Sequence, residues 1–231
     1  MFLRKIYIIF IFFILTFSLK SNEVKEYKIV LVDILKDIRY SKWGMHPVDI
    51  RSKYNKEKRP VAGAKLAIED SKLIQRLTKT KFTLDYLRFN DQKDFLAFFK
   101  NKKLNEYKAI LLDSSKREIN ILKKVFKENS KLLFFNITES DNNLRKNMCL
   151  KNFFHTFPSE AMHTDSIAQY LIKKKWNKVL MLTGPLDEDK ILSNSFKQSS
   201  KKFGVKIIKE KFFVNSNDPR VRDKNSLTCW Y

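Results

Sequence analysis

The chain has 231 residues, of which 47 are Lys or Arg and 25 are Asp or Glu, giving a net charge of +22. Its length accommodates one large domain or two small ones. So large a basic excess would suit a protein that binds nucleic acid or an anionic membrane. The lysines are scattered along the chain rather than gathered in one run, which argues against nucleic acid and leaves a weakly anionic ligand or membrane surface as an alternative. The abundance of Lys, Asn, Ile and Phe beside only 4 Gly favours an amino-acid bias of an AT-rich genome instead.

The first 21 residues have the pattern of an export signal. Arg4 and Lys5 precede an apolar run that extends from Ile6 to Leu19. This run is shorter than the roughly 20 residues that a membrane-spanning helix needs, and no cysteine follows it to carry a lipid. We therefore expect an exported protein from which residues 1–21 are cleaved after Ser21, with an uncleaved anchor as the alternative.

Strand and helix patterns alternate along the rest of the chain. The predicted strands are 27–35, 82–89, 109–112, 132–135, 153–157, 178–182 and 205–214. The predicted helices are 61–77, 92–102, 117–128, 160–174 and 188–202, with loops at 36–60 and 141–151. Helix 92–102 turns Phe95 inward, Gly204 ends helix 188–202, and helix 61–77 has one broad apolar face formed by Ala64, Leu66, Ala67, Ile68, Leu73, Ile74 and Leu77. Short apolar runs between helices are typical of parallel strands covered on both faces. The sequence thus predicts an α/β fold built from repeated βα units.

Catalytic signatures are scarce in this sequence. It contains no Gly-x-Ser-x-Gly elbow, no phosphate-binding loop and no dinucleotide fingerprint. His155 and His163 have a spacing that matches no metal site known to us. Cys149 and Cys229 could pair in an oxidising compartment, although an unpaired Cys149 is the simpler interpretation. We expect no catalytic residue, no metal and no cofactor.

Polar residues follow several predicted strands at their carboxyl ends, where open parallel sheets bind ligands. Hydroxyl groups there, together with free backbone N–H groups at helix starts, can hold a carboxylate or a hydroxyl group. Such residues also cap helices in any α/β protein, so both interpretations stay open. The candidate ligand-binding residues are Asp113, Ser114, Ser115, Asn136, Ile137, Thr138 and Ser159.

Two stretches resemble a known family. Residues 60–72, PVAGAKLAIEDSK, are similar to the first-helix motif of type I periplasmic solute-binding proteins, the receptors of branched-chain amino acid ABC importers. Residues 133–176 and 196–213 resemble, more narrowly, the subgroup that accompanies PQQ-dependent alcohol dehydrogenase systems. The narrower likeness is carried by Asn136, Asp141, Leu144, Arg145, Cys149, His155, Thr156, Pro158, Ser159, Ala161, Met162 and Ala168–Leu171. Together the two levels of resemblance cover residues 27–226.

The resemblance implies two Rossmann-like lobes joined by hinge strands, with a small-molecule ligand held between them. It divides the chain into lobe 1 at 22–157 and the start of lobe 2 at 158–226, with Phe157–Ser159 as the first hinge crossing. It implies ligand contacts from Ser114, Ser115, Ile137 and Thr138. The expected protein is a monomeric, periplasmic solute-binding component of an ABC importer. Its partner would be a permease in the inner membrane, and its solute a small polar or amphiphilic compound linked to PQQ-dependent alcohol oxidation.

The end of the chain departs from that family, whose members are considerably longer. Residues 227–231, LTCWY, do not resemble it, and a frameshift or early stop is predicted near Ser226. A truncated receptor fragment that binds no solute is therefore the first alternative. An exported α/β hydrolase that uses Asp113, Ser115 or His155 is the second.

Overall fold

The structure, a computed structural model, describes residues 24–41 and 59–213. The predicted signal at 1–21, the tail at 227–231 and Cys229 lie outside these residues. In the described part, no helix is long and apolar enough to cross a membrane.

Strands and helices alternate through the described residues. The strands are β1 Lys25–Ile34, β2 Thr80–Phe89, β3 Ala109–Asp113, β4 Leu133–Asn136, β5 Phe153–His155, β6 Lys178–Thr183 and β7 Lys206–Phe212. The helices are α1 Ile38–Ser41, α2 Val61–Asp70, α3 Lys72–Thr78, α4 Gln92–Phe98, α5 Lys116–Ile121, α6 Lys123–Glu128, α7 Asn142–Asn147, α8 Glu160–Lys173 and α9 Asp187–Phe203. A 3₁₀ helix spans Lys102–Glu106.

The strands form a five-stranded sheet in the order β2-β1-β3-β4-β5 and a two-stranded sheet of β6 and β7. The pairs β1–β2, β4–β5 and β6–β7 are parallel. Parallel neighbours need crossover connections, which the intervening helices supply. The predicted α/β fold is therefore confirmed.

The chain divides into two compact units between Leu111 and Leu112. The predicted lobe boundary at 157/158 stays a prediction.

The first unit is built on β1, whose Val30, Leu31 and Val32 are fully buried. Helix α4 turns Phe95 inward, as its spacing predicts, and this ring meets Phe89 of β2 edge-on at 5.9 Å between centroids. Strands β1 and β2 pair over ten residues, from Lys25 with Thr80 to Ile34 with Phe89. Because the two strands run parallel, this register brings the carboxyl ends of β1 and β2 side by side.

A buried carboxylate lies at that end of β1. Asp33 accepts hydrogen bonds from Tyr86 Oη at 2.6 Å and from Arg88 Nε at 3.2 Å. Its Oδ2 also forms an ion pair with Arg59 Nη1 at 3.4 Å, and the Arg59 guanidinium stacks over the Tyr40 ring at 3.8 Å. Burial, together with the hydrogen bond to Asp33, raises the pKa of Tyr86 to about 12. The buried charge is thus neutralised by neighbouring cations, as a buried carboxylate requires.

The second unit has an aromatic centre around Phe126 of α6. This ring lies 4.5 Å from the Phe134 ring and 4.9 Å from the Phe153 ring, measured between centroids. Helices α8 and α9 pack together through buried hydroxyl groups, with Thr164 Oγ1 and Ser199 Oγ 2.8 Å apart. Helix α9 ends at Gly204, whose φ of 79° lies in the left-handed region. That confirms its predicted role as a helix-ending residue.

Three predicted elements differ from the structure. The predicted helix 61–77 is interrupted at Ser71, whose Oγ donates to Ile68 O at 2.8 Å and competes with the helical pattern. The predicted helix 117–128 is interrupted at Leu122. The predicted loop 141–151 contains α7, which begins because Asp141 Oδ1 accepts from Asn143 N at 2.8 Å. Its polar sequence lacks the apolar periodicity by which helices are recognised.

Two further differences concern shorter segments. The predicted loop 36–60 begins with the single turn α1, at which Asp37 Oδ1 accepts from Arg39 N at 2.9 Å. The predicted strand 153–157 ends two residues early, at His155. Both differences fall at the ends of elements, where a cap or a tertiary contact decides the boundary.

Candidate functional site

Strands β3, β4 and β5 end at Asp113, Asn136 and His155, all three of which lie in the second unit. Thr138, two residues beyond β4, donates its hydroxyl hydrogen to Asp113 Oδ1 at 2.9 Å. The backbone N–H of Ile137 donates to Leu112 O at 3.3 Å. The loop after β4 is thereby attached to the end of β3. The Asp113 carboxylate that it meets is fully buried.

Asn136 joins the ends of β4 and β5. Its Oδ1 accepts from the backbone N–H groups of Thr138 at 3.3 Å and Glu139 at 2.9 Å. Its Nδ2 donates to Glu139 O at 2.8 Å and lies 3.0 Å from His155 Nδ1. The backbone partners fix which way the amide points, so Nδ2 is the donor to the imidazole. His155 Nδ1 is then the acceptor, and a neutral His155 carries its proton on Nε2.

The environment of His155 favours this neutral form. Burial lowers the pKa of His155 below its usual value, and the positive charge of Arg145 lowers it further. The His155 ring also meets Phe153 edge-on at 5.0 Å between centroids. Its Nε2 is buried without a hydrogen-bond partner among the described residues. A buried N–H that lacks a partner is available to an acceptor atom of a ligand.

Ser115 and Ser159 act as helix caps in this structure. Ser115 Oγ accepts from Arg117 N at 3.2 Å, and Glu118 completes a capping box at the start of α5. Ser159 Oγ accepts from Met162 N at 3.3 Å at the start of α8. The capping alternative therefore holds for both side chains, and their binding role stays a prediction.

The backbone N–H groups at these two helix starts are already bonded within the protein. At α5, Lys116 N donates to Glu139 Oε2 at 2.8 Å. At α8, Glu160 N donates to Ser140 O at 3.0 Å and Ala161 N donates to Asn142 Oδ1 at 2.9 Å. The expectation of free N–H groups at these helix starts is therefore wrong in this conformation. The acceptors are the side chains of Glu139 and Asn142 and the backbone carbonyl of Ser140, which the sequence pattern does not place at these helix starts.

Ser114 differs from its neighbour Ser115. It is fully buried directly after β3, and its Oγ has no hydrogen-bond partner among the described residues. The carboxyl ends of β3 and β5 thus each present one unsatisfied buried polar atom, Ser114 Oγ and His155 Nε2. Of these, Ser114 is among the ligand-binding candidates, whereas the sequence singled out His155 only as a residue of the alternative hydrolase. The signal that could have revealed His155 is its position as the last residue of its strand.

Charged side chains surround the loop between β4 and α7. Burial alone would raise the pKa of Asp141, but the hydrogen bond from Lys116 Nζ at 3.0 Å and the backbone bond from Asn143 outweigh it and lower that pKa. The same bond raises the pKa of Lys116. Burial raises the pKa of Glu160, whose Oε1 accepts from Ser140 Oγ at 3.3 Å. These charges are used to hold the loop in place.

The site therefore consists of a network and two unsatisfied atoms. The structure joins Asp113, Asn136 and Thr138 by hydrogen bonds, while Ile137 takes part through its backbone. Within residues 24–41 and 59–213, no cluster of His, Cys, Asp and Glu could hold a metal ion. Cys149 is exposed and has a free thiol, while its possible partner Cys229 lies outside the described residues.

Comparisons with known proteins identify the family. The sequence profile described as the receptor family ligand-binding region matches residues 59–226. No curated protein sequence matches the chain.

Solved structures share the fold. An ABC transporter substrate-binding protein from Desulfitobacterium hafniense, in complex with Leu, has 14% sequence identity and a TM-score of 0.56, covering 87% of this chain and 55% of that one. A branched-chain amino acid ABC transporter periplasmic ligand-binding protein from Burkholderia xenovorans LB400 has 12% identity and a TM-score of 0.59, covering 83% and 48%. The chain thus spans about half the length of these structures. The chain belongs to the family described as the receptor family ligand-binding region, and it has the fold of the type I periplasmic substrate-binding proteins.

Proposed function

We propose that this protein is the solute-binding component of an ABC-type importer. The observation that carries the proposal is the pair of unsatisfied buried polar atoms, Ser114 Oγ and His155 Nε2, at the carboxyl ends of β3 and β5. An unsatisfied buried polar atom costs about 1–3 kcal/mol, so each of these atoms calls for a partner, and in this proposal that partner is the solute. Family membership and the substrate-binding fold support the same role.

The chemistry of these two atoms indicates the kind of solute. A neutral imidazole N–H donates only, whereas a serine hydroxyl can donate or accept. Together they suit a small solute that carries a carboxylate or a hydroxyl group, and neither atom requires a charged group on the solute. Both atoms are buried, so a solute reaches them only when the loops after β3 and β5 open. In the structure, Thr138 and Asn136 bond to Asp113 and His155 at the ends of these two strands.

The finer features of the proposal rest on the sequence. The pattern of residues 1–21 supports export to the periplasm, and the structural relatives are described as substrate-binding proteins of ABC transporters. An inner-membrane permease is then the partner, and a monomer the expected form. The resemblance of residues 133–176 supports a link to PQQ-dependent alcohol oxidation. We therefore infer that short alcohols or the carboxylates formed from them belong among the solutes to be tested.

The test measures binding by the full chain. Titration calorimetry and thermal melting would use L-leucine, a series of short primary alcohols and the corresponding carboxylates as probes. A bound solute stabilises the folded state in proportion to the logarithm of its concentration over Kd. We expect at least one probe to raise the melting temperature, and Ser114→Ala to weaken its binding by about tenfold, the worth of one hydrogen bond.

Stability separates a binding role of Ser114 from a structural one. Removing an unsatisfied buried hydroxyl costs no hydrogen bond, so Ser114→Ala should leave the melting temperature unchanged or raise it. The matched control is Ser166→Ala on α8. The exposed hydroxyl of Ser166 donates to His163 O, and its removal should not alter binding. If none of the probes shifts the melting temperature, or if Ser114→Ala lowers stability and leaves affinity intact, the proposal fails.

A further inference from the structure

Helices α2 and α3 have one face against β2 and one face open to solvent. The half-buried face includes Ala64, Ile68 and Gln75. The predicted apolar face of residues 61–77 also contains four larger side chains, and these are exposed in the structure. The exposed fractions are 56% for Leu66, 63% for Leu73, 59% for Ile74 and 76% for Leu77. The residues of the predicted apolar face therefore lie on two sides of the helices, one that faces the sheet and one that is apolar and exposed.

A cationic surface adjoins this apolar side on α3. Lys72, Gln75, Arg76 and Lys79 recur at helical spacing and line a shallow depression of about 440 Å³ together with Val24 and Thr80. Positions three and four apart share one face of a helix. Leu73 and Leu77 have the same spacing and occupy the neighbouring face. Leucines and cations thus stand side by side along about two helical turns.

Gln75, which lines the depression, forms three hydrogen bonds within the first unit. Gln75 Nε2 donates to Ile68 O at 3.2 Å and to Ser71 Oγ at 2.7 Å, and its Oε1 accepts from Phe82 N at 2.9 Å. Helix α3 is capped by the next residue, Lys79, whose φ of 53° places it in the left-handed region. Gln75 of α3 is thus hydrogen-bonded to both α2 and β2.

The charges of this surface lack acidic partners. Between Val61 and Lys81 the sequence has five cationic and two acidic side chains, and no acidic residue lines the depression. The nearest acidic residues in the sequence, Glu69 and Asp70, end α2. Among the ion pairs within residues 24–41 and 59–213, none involves Lys72, Arg76 or Lys79. A complementary partner must therefore be anionic.

We propose that this face of α2 and α3 docks the protein on an anionic lipid bilayer surface. A row of exposed leucines beside lysine and arginine is the chemistry of helices that lie in a membrane interface, where apolar side chains enter the acyl boundary. Cationic side chains then meet the lipid phosphates. The net charge of +22 draws the whole chain to such a surface. The proposal goes beyond solute binding, because it concerns the first unit alone.

Vesicle binding tests the docking face directly. Large unilamellar vesicles of equal parts phosphatidylglycerol and phosphatidylcholine would be compared with vesicles of phosphatidylcholine, using flotation of the full chain. We expect binding to the anionic vesicles, with little binding to the neutral ones. Lys72→Glu combined with Arg76→Glu should weaken it by at least about 25-fold, since each cation near the surface is worth about fivefold.

A matched charge reversal controls for net charge. Lys127→Glu combined with Lys131→Glu changes two exposed lysines of the second unit at the same spacing, and this pair should weaken binding by less than about threefold. Equal losses in the two double variants would overturn the proposal, because attraction would then be spread over the surface. Free inorganic phosphate at millimolar level should not displace the protein. Displacement would mean that the depression binds the phosphate group alone.

Insertion of the leucines is measured separately. In a Leu77→Trp variant, brominated lipids should quench the tryptophan fluorescence more strongly than they quench that of the parent chain. Leu73→Ser combined with Leu77→Ser should weaken vesicle binding without lowering the melting temperature, since both side chains are exposed. If these substitutions instead abolish a concentration-dependent dimer and leave vesicle binding unchanged, the face joins two copies of the chain and the proposal is wrong. None of these outcomes depends on solute binding.

Discussion

His155 is held by one ring nitrogen and leaves the other without a partner among the described residues. Asn136 donates to Nδ1, and the backbone around Glu139 fixes the direction of that amide. The tautomer that results presents Nε2–H inside the second unit. The arrangement gives His155 a defined proton position at neutral pH. It also makes this side chain the most pH-sensitive part of the site.

We expect His155 to destabilise the protein as the pH falls. Because burial and Arg145 lower its folded-state pKa, the unfolded chain binds the proton more readily than the folded one. Its contribution to stability is therefore fully present above the usual value of 6.5 and is lost as the pH drops from there to the folded-state pKa. The melting temperature measured from neutral pH to about pH 5 should fall in this window, and less steeply in His155→Gln.

An NMR titration of the His155 ring provides the direct check. Its midpoint should lie below 6.5. A midpoint at or above that value, or an unchanged pH slope in His155→Gln, would contradict a buried, neutral imidazole that accepts from Asn136. Gln is a suitable replacement because its side-chain oxygen can accept from Asn136.

At the scale of elements, helix ends are closed by side chains from distant segments. Asn152, which precedes β5, donates from Nδ2 to Phe126 O at 2.9 Å, Asn129 O at 3.0 Å and Leu132 O at 3.1 Å. Two of these carbonyls belong to the end of α6 and the turn that follows it. The last carbonyls of a helix have no partner within the helix, so this one amide joins α6, the turn and the start of β4.

Replacing this amide should be costly. Asn152→Ala removes the side-chain donor from the Phe126 and Leu132 carbonyls, while Asn129 O keeps the bond from Leu132 N. It should lower the free energy of unfolding by about 2–3 kcal/mol. Urea unfolding followed by far-UV circular dichroism measures the change. Asn147→Ala is the control, because Asn147 is exposed at the end of α7 and its removal should cost no more than about 0.5 kcal/mol. Similar effects of both substitutions would show that Asn152 does not act as a helix cap.

For the whole molecule, charge is the dominant property. A net charge of +22 on 231 residues destabilises a compact state through self-repulsion. The ion pairs among the described residues are mostly partly exposed, such as Lys197–Glu210 at 2.6 Å and Lys202–Asp165 at 2.6 Å. Exposed pairs contribute little to stability, so screening of the repulsion should outweigh their loss when salt is added.

Salt should therefore stabilise this protein. Added sodium chloride should raise the melting temperature, by about 2–4 °C for each kcal/mol of repulsion that is screened in a chain of this size. Sorbitol at the same osmolality is the control, because it leaves the charges unscreened. A melting temperature that falls with salt would mean that the ion pairs contribute more than the repulsion costs.

The local sequence was sufficient to predict the type of most elements and the end of one helix. Apolar runs such as residues 109–112 and 132–135 correspond to β3 and β4, since few other structures bury four consecutive apolar residues between polar segments. Gly204 indicated a helix end because glycine tolerates a positive φ. The polar α7 escaped prediction because its cap, Asp141, lies in a segment without apolar periodicity.

The sequence alone determined the fold class and most strands, because burial and backbone geometry act through patterns a few residues long. It also placed Asp113, Asn136 and Thr138 at strand ends, where the structure joins them. Tertiary structure decided which polar atoms are already satisfied. Ser115 and Ser159 are used as caps and Ser114 is not, although all three are serines beside a helix start. The difference lies in partners from other segments, and only the folded chain brings those segments within hydrogen-bonding distance.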